Sequence, residues 1–595
     1  MASSSSKHHF LRLTLFLTSS IFILSKPTLC SSNVQPIYSS STKSHLLKIQ
    51  SMCKTTPYPD VCFDTLKLSI TKDTAPILQN FLLGSLGAAV DEVTKLSSML
   101  ATHTSSTLSV KQRGAVQDCM ELNEISIFAL QKSVSKIKSS KLADAKALLS
   151  GALTSKATCL EGLELASGLQ KQTLVDSLIA TYKHVSNTLS MLTHHSPPGE
   201  DARSANQPVV SKASHDKRLL EKPPKVSYVA TASKSVELTD MPLHGNGDSM
   251  DLPSWLDPIG RKILEDNMND DCGEPTNDQP MNDMIVVAKD GSGTFTTIQD
   301  AINFAPNNSE YRTFIYAKKG IYEENVHIPK DKPNVVLLGE GSNVTVITGN
   351  RSTASGWTTF RSATVAVSGE GFIARDITFE NTAGPENHQA VALRINADSA
   401  AVYKCTILGF QDTLYIHSFR QFYRECDIYG TIDYIFGNAA VVFQGCKIVS
   451  RMPMPGQSTV ITAQSREDPE WTTGISIQNC SILASKELYF NRTSVKSYLG
   501  RPWKKYARTV FIESYISDFI DPLGWTKWSG DEGLDTLYYG EYGNQGPGSC
   551  TNGRVTWPGY HVMDYKDANN FTVLEFIMGD DHWLDSTRVP YDGRL

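Results

Sequence analysis

An interval of roughly 20 residues, returning through the second half of the chain, limits the possible folds more than any other feature of the sequence. The segments HQAVALR (388–394), GFQDTLY (409–415) and GTIDYIFGNA (430–439) follow one another closely. Gln389 and Gln411 are 22 residues apart, Asp412 and Asp433 are 21 apart, and Cys426 and Cys446 are 20 apart. RDITF (375–379), KCTIL (404–408), ECDIY (425–429), GCKIV (445–449), NCSIL (479–483) and ESYIS (513–517) keep the same beat. In each, a strand-like apolar pair follows a polar or cysteine position. Units this short cannot bury an apolar face alone, so they stack as a solenoid. Short strands broken by Gly or Pro, as in 313–328, 334–341 and 345–350, make that solenoid all-β. The last two intervals lengthen to 34 residues, which implies loops inserted on one side of the stack.

If one interval is one coil of a parallel β-helix, residues one interval apart lie about 4.8 Å from each other. Gln389, the pair Gln411–Asp412 and Asp433 then form a column across three coils. Two carboxylates that close resist simultaneous ionisation, so one has a raised pKa. The column therefore holds an acid and a base within one site.

The start of the chain sets the compartment. Residues 1–30 carry a Lys–His–His start and an apolar run, Leu11–Leu24, that is short for a membrane span and interrupted by Ser and Thr. This reads as a secretory signal peptide, with an uncleaved anchor as the rival. At 595 residues the chain has room for roughly three or four domains. A net charge of −6 over that length gives no case for nucleic acid. Secretion permits disulfides among the 11 cysteines. Sequons at Asn307, Asn343, Asn350, Asn479, Asn491 and Asn570 are candidate glycan sites, although Asn479 falls in a predicted strand, where it would be buried.

Residues 45–195 have a different texture. Apolar residues recur every three or four positions in Asn80–Leu100, Val110–Ile137 and Ala143–Leu165, which predicts an antiparallel four-helix bundle. Its four cysteines favour two bridges, Cys53–Cys62 and Cys119–Cys159, because nine residues suit a local hairpin clip. Cys53–Cys62, AVQDCMEL (115–122) and LLSGALTSKATC (148–159) resemble the plant invertase and pectin methylesterase inhibitor family. No catalytic constellation is visible in this unit.

Residues 196–280 are rich in Ser, Pro, Lys, Asp and Asn without a period, which reads as a linker. It carries two basic–leucine tetrads, KRLL (Lys217–Leu220) and RKIL (Arg261–Leu264).

Residues 281–595 form the unit with chemistry. No G-x-S-x-G elbow and no His/Cys cluster at zinc spacing occurs in it. Gly291–Ser–Gly293 lacks the Lys-Ser/Thr of a phosphate loop and reads as a tight turn. Cys405, Cys426, Cys446 and Cys480 share one point of the repeat. They read as an interior ladder of small apolar groups, or alternatively as holding a disulfide between adjacent coils, Cys426 with Cys446.

GIYEE (320–324), NTAGPENHQAVALR (381–394), GFQDTLY, GTIDYIFGNA and LGRPWK (499–504), in that order, resemble the pectin methylesterases. With the inhibitor-like unit ahead, the whole chain is similar to plant two-part preproenzymes of that family. The resemblance implies a right-handed parallel β-helix that hydrolyses methyl esters of pectin in the cell wall, without metal or organic cofactor. It implies Asp433 as nucleophile, Asp412 as general acid and then base, and Gln411 with Gln389 as oxyanion donors. Arg501 would hold Asp433 ionised, and Trp503 and Thr359 would contact the sugar, with Tyr415 and Phe436 lining the groove. It also implies that a processing protease cuts at one of the tetrads, RKIL preferred, and that the helical unit inhibits until then. Two close carboxylates also suit a retaining glycosidase, and polygalacturonases and pectate lyases share the architecture. The paired Gln residues favour the esterase, since amide donors suit an oxyanion. A silent enzyme unit carried by an inhibitor or binding protein is the rival of another class.

Overall fold

A computed structural model describes residues 40–67, 78–101, 109–164, 171–195 and 284–595. The apolar run of 1–30 and both basic tetrads lie outside the described residues. No helix among the described residues is long and apolar enough to cross a membrane.

Residues 284–595 wind into a right-handed parallel β-helix with three parallel sheets, of eleven, seven and eight strands. One coil visits each sheet once. Leu393–Ile395 lies in the seven-stranded sheet, Ala400–Tyr403 in the eleven-stranded and Thr406–Leu408 in the eight-stranded. The next coil returns at Leu414–Ile416, in register with Leu393–Ile395. Alternate side chains point inward, and Leu393, Ile395, Leu414, Ile416 and Ile435 are fully buried in the continuous core.

The recurring polar–Cys–x–Ile pattern is a corner. Lys404, Glu425, Gly445, Asn479, Glu513 and Gly543 each sit at a positive φ between 50° and 66°. A non-glycine residue there costs about 1–2 kcal/mol, and the paired strands on both sides impose it. The corner turns its own side chain outward and the next one inward. Asn479 is accordingly exposed, not buried in a strand, and the other five sequon asparagines are exposed as well.

The inward position carries the cysteines. Contrary to the disulfide expectation, Cys426 and Cys446 are free, as are Cys405 and Cys480, and all four are buried. Each sulfur is occupied by the ladder itself. The Cys426 amide donates to Cys446 Sγ at 3.4 Å, the Cys446 amide to Cys480 Sγ at 3.3 Å, and the Cys480 amide to Ser514 Oγ at 3.0 Å. Ser514 thus continues the row where the sequence has no cysteine.

The lengthened intervals insert chain at 451–458 and 465–473, then at 485–496 and 503–507. All four insertions adjoin the ends of strands Thr459–Gln464 and Ser497–Pro502, both in the seven-stranded sheet.

The N-terminal region is helical: α1 (Ser40–Cys53), α2 (Pro59–Lys67), α3 (Leu78–Ala101), α4 (Val110–Lys138), α5 (Leu142–Glu164) and α6 (Lys171–His195). Helices α3 to α6 pack around one apolar cluster. Cys53–Cys62 clips the α1–α2 hairpin and Cys119–Cys159 ties α4 to α5, the pairing expected from spacing. Ser109 begins α4 with a capping box that includes Gln112.

The bundle sits on the seven-stranded sheet. Its apolar cluster continues onto Phe360, Val391, Tyr415, Phe419, Phe436 and Trp471 of the β-helix. Polar contacts surround this patch. Asp118 accepts from Thr358 at 2.6 Å and pairs with Arg361 at 2.6 Å. Glu121 meets Arg394 at 3.1 Å, Glu161 meets Lys504 at 2.6 Å, and Thr154 accepts from Asn438 at 2.7 Å. Asp144, fully buried, shares the Arg420 guanidinium with Asp398, each at 2.7 Å. Leaving one charge of a buried group like this unpaired costs about 3–5 kcal/mol.

Candidate active site

The outward face of the seven-stranded sheet carries one ladder across seven strands. In register, it runs His327, Ala366, Arg394, Tyr415, Phe436, Ala463 and Arg501. Tyr415 and Phe436 stack with ring centroids 4.2 Å apart and planes within 17°. Two residues before their strands begin, the chain bends through Asp412 (φ 59°) and Asp433 (φ 50°). Leu414 pairs with Ile435, so the two aspartates occupy the same position of adjacent coils. Non-glycine residues at positive φ cluster at active sites because the surrounding structure must hold them there. Here the coil above and the coil below do so; the Asp412 amide, for instance, donates to Ile432 O at 3.0 Å.

The two carboxylates differ in their partners. Arg501 donates to Asp433 through Nε at 2.9 Å and Nη2 at 2.6 Å, the bidentate geometry that favours an ionised carboxylate. Burial pushes Asp433 above the usual carboxylate range, and Arg501 opposes that rise. Burial pushes Asp412 well above it, and the neighbouring Asp433 adds to the effect. Of the pair, Asp412 is therefore the one shifted further toward its protonated form.

A cavity of 590 Å³ opens against this pair. Thr359, Gln389, Gln411, Asp412, Asp433, Arg501 and Trp503, each singled out from the sequence, all line it, as do Tyr415 and Phe436. Gln389 departs from the expected column. Ala390 donates to Gln411 O and Ala392 to Thr413 O, a spacing of 21 that leaves Gln389 one residue out of step with Gln411. It still faces the cavity, and its Oε1 accepts from Thr353 at 2.7 Å. Trp503 lies 6.1 Å from Phe436 and 6.2 Å from Trp528, centroid to centroid.

Trp528 lines the cavity and, like Thr353, Phe360 and His388, was not singled out from the sequence. The Arg501 guanidinium lies 4.3 Å from its ring centroid, and the ring is 40% exposed. The available signal was the pair Trp525 and Trp528: Trp525 is buried against Tyr539 at 4.0 Å, leaving the second indole free to face the groove.

A family model described as pectinesterase matches residues 284–580, and one described as plant invertase/pectin methylesterase inhibitor matches 48–191. The chain is 52% identical over 601 residues to probable pectinesterase/pectinesterase inhibitor 12 of Arabidopsis thaliana, covering 100% of each.

The chain belongs to the pectinesterase family.

Members of this family are carboxylic ester hydrolases. Probable pectinesterase/pectinesterase inhibitor 44 of Arabidopsis thaliana is 43% identical, with 86% of this chain and 93% of that one covered. The pectin methylesterase from carrot, a solved structure, is 49% identical with a TM-score of 0.52. It spans 54% of this chain and is itself covered completely.

Proposed function

We propose that the chain hydrolyses methyl esters of polygalacturonate in pectin, giving free carboxylates and methanol and modifying the plant cell wall. The observation that carries this reading is the in-register pair Asp412 and Asp433, with Arg501 bound to Asp433. Asp433, kept ionised by Arg501, attacks the ester carbonyl. Asp412, which holds a proton, gives it to the departing methanol. Water, activated by the Asp412 carboxylate so formed, then cleaves the acyl-enzyme and restores both groups. The amides of Gln411 and Gln389 donate to the oxyanion of each tetrahedral intermediate. Trp503 and Trp528 offer flat faces to the sugar, and Thr359 a polar contact.

The helical unit, residues 45–195, seals the groove against pectin until a protease cuts the 196–280 linker, at Arg261–Leu264 in preference to Lys217–Leu220. The continuous apolar patch and the Asp118, Glu121 and Asp144 contacts support this. The two disulfides and the exposed sequons suit a secreted, glycosylated protein.

The test is methanol release from highly esterified pectin by residues 281–595, by the same fragment with Asp433→Asn, and by the full chain. Release by the first alone is expected. Release by the Asp433→Asn fragment would remove the nucleophile assignment, and equal release by the full chain would remove the seal.

A further inference from the structure

The helices cover the groove unevenly. On one side of the carboxylates, α4 and α5 are seated on Thr358, Arg361, Arg394 and Phe419. On the Arg501 side α5 still reaches Lys504 through Glu161 at 2.6 Å, and Lys111, Thr158, Glu161 and Gly162 help to line the first cavity without filling it. A second cavity, of 350 Å³, adjoins the first at Gln411 and Arg501, and among the described residues only the β-helix lines it. The Arg501 side chain remains 27% exposed and Trp528 40% exposed with the bundle in place. Among the described residues, no hydrogen bond or ion pair joins Asp412 or Asp433 to the helices, and Arg501 keeps its grip on Asp433 beneath them.

A polymer and a single sugar make different demands on such a site. Pectin must run through the groove on both sides of the ester undergoing cleavage, and the seated helices stop it. A single uronate ester needs only a cavity, and 590 Å³ lies in the range of about 300–1,000 Å³ that holds small ligands.

We infer that the uncut two-part chain is itself an esterase toward single uronate methyl esters, its helices excluding the polymer while leaving the chemistry in place. This rests on the carboxylate roles and the seal proposed above. The reaction is the same hydrolysis. The acyl C–O bond breaks, the Asp412 proton leaves with methanol, and water supplies the oxygen of the new carboxylate and the proton that returns to Asp412.

Methanol release is measured for the full chain and for residues 281–595, with highly esterified pectin and with the methyl ester of galacturonic acid. The fragment has its own closed core, formed by residues between Ile285 and Val555. Removing the helices is expected to raise the pectin rate at least about tenfold and to change the single-ester rate by less than about threefold, since only the polymer draws on the remote groove. Asp433→Asn in the full chain should abolish single-ester release. Suppression of both substrates by the same factor in the full chain overturns the inference while leaving the seal standing. Equal pectin rates in the two proteins remove the seal instead. Single sugars can turn over slowly in both proteins, so hydroxyl-radical oxidation with peptide mapping supplies a second readout. Trp528 should be oxidised to within about twofold in the two proteins, while Tyr415 and Phe419 are protected only in the full chain. Protection of Trp528 equal to that of Tyr415 would likewise overturn the inference.

Discussion

Arg501 reaches Asp433 with two nitrogens, at 2.9 and 2.6 Å, while Asp412, one coil away, receives no such bond among the described residues. Two chemically identical side chains in the same position of adjacent coils are thereby made unequal. The stack supplies the proximity, and a guanidinium two strands further on supplies the asymmetry.

Asp412→Asn and Asp433→Asn in the 281–595 fragment are each expected to lower methanol release by at least about a hundredfold, the low end for losing a positioned acid–base group. Both substitutions keep size and shape, so unchanged circular dichroism should accompany the loss. Near-normal turnover in either variant would remove the role given to that residue.

Arg501 lowers the pKa of both carboxylates against the rise that burial causes. Turnover needs Asp433 ionised and Asp412 protonated, so kcat/KM should rise with pH as Asp433 ionises and fall as Asp412 does. In Arg501→Ala both limbs should move to higher pH, and the maximum should be lower. A profile that falls in height but stays in place would show that Arg501 does not set these ionisations.

Gly151 sets a close approach of α5 to the β-helix: a Cβ there would clash with ring carbons of Phe419. Alanine favours a helix over glycine by about 1 kcal/mol, so Gly151→Ala leaves α5 intact and prises it from the sheet. The full chain carrying Gly151→Ala should release methanol from pectin faster than the unaltered full chain. Adding Phe419→Ala, which opens the space, should bring the rate back down. No change from Gly151→Ala would mean that this contact does not hold the seal.

The thiol ladder predicts a count. Residues 284–595 denatured without reductant should titrate five free thiols, Cys405, Cys426, Cys446, Cys480 and Cys550, and the native fragment only Cys550. A denatured count of three, with Cys426 and Cys446 recovered as one linked peptide, would restore the disulfide.

The solenoid was legible because the coil length is written directly into the spacing of like residues, and the aspartate column followed from that spacing with one strand separation. Gln389 shows where counting fails. Its interval of 22 is one longer than the 21 that the ladder uses, and in a stack one residue changes the neighbour. The cysteine row illustrates a second limit. Spacing placed the sulfurs one above another, but the pattern carried no sign that each would accept an amide N–H from the adjacent coil. Asp118 and Glu121 lay within a quoted motif, yet their partners Arg361 and Arg394 are more than 200 residues away, a relation that no local period encodes.

On the proposed function, the aromatic strip of Tyr415, Phe436 and Trp503 serves two occupants that exclude each other, a sugar chain and the bundle of helices that packs on it. A change in these rings acts on both occupants at once. On that reading substrate grip and dormancy are coupled at these three rings. Variation can separate them at positions that one occupant alone meets, such as Gly151 on the helical side and Trp528, which stays 40% exposed beside the seated helices.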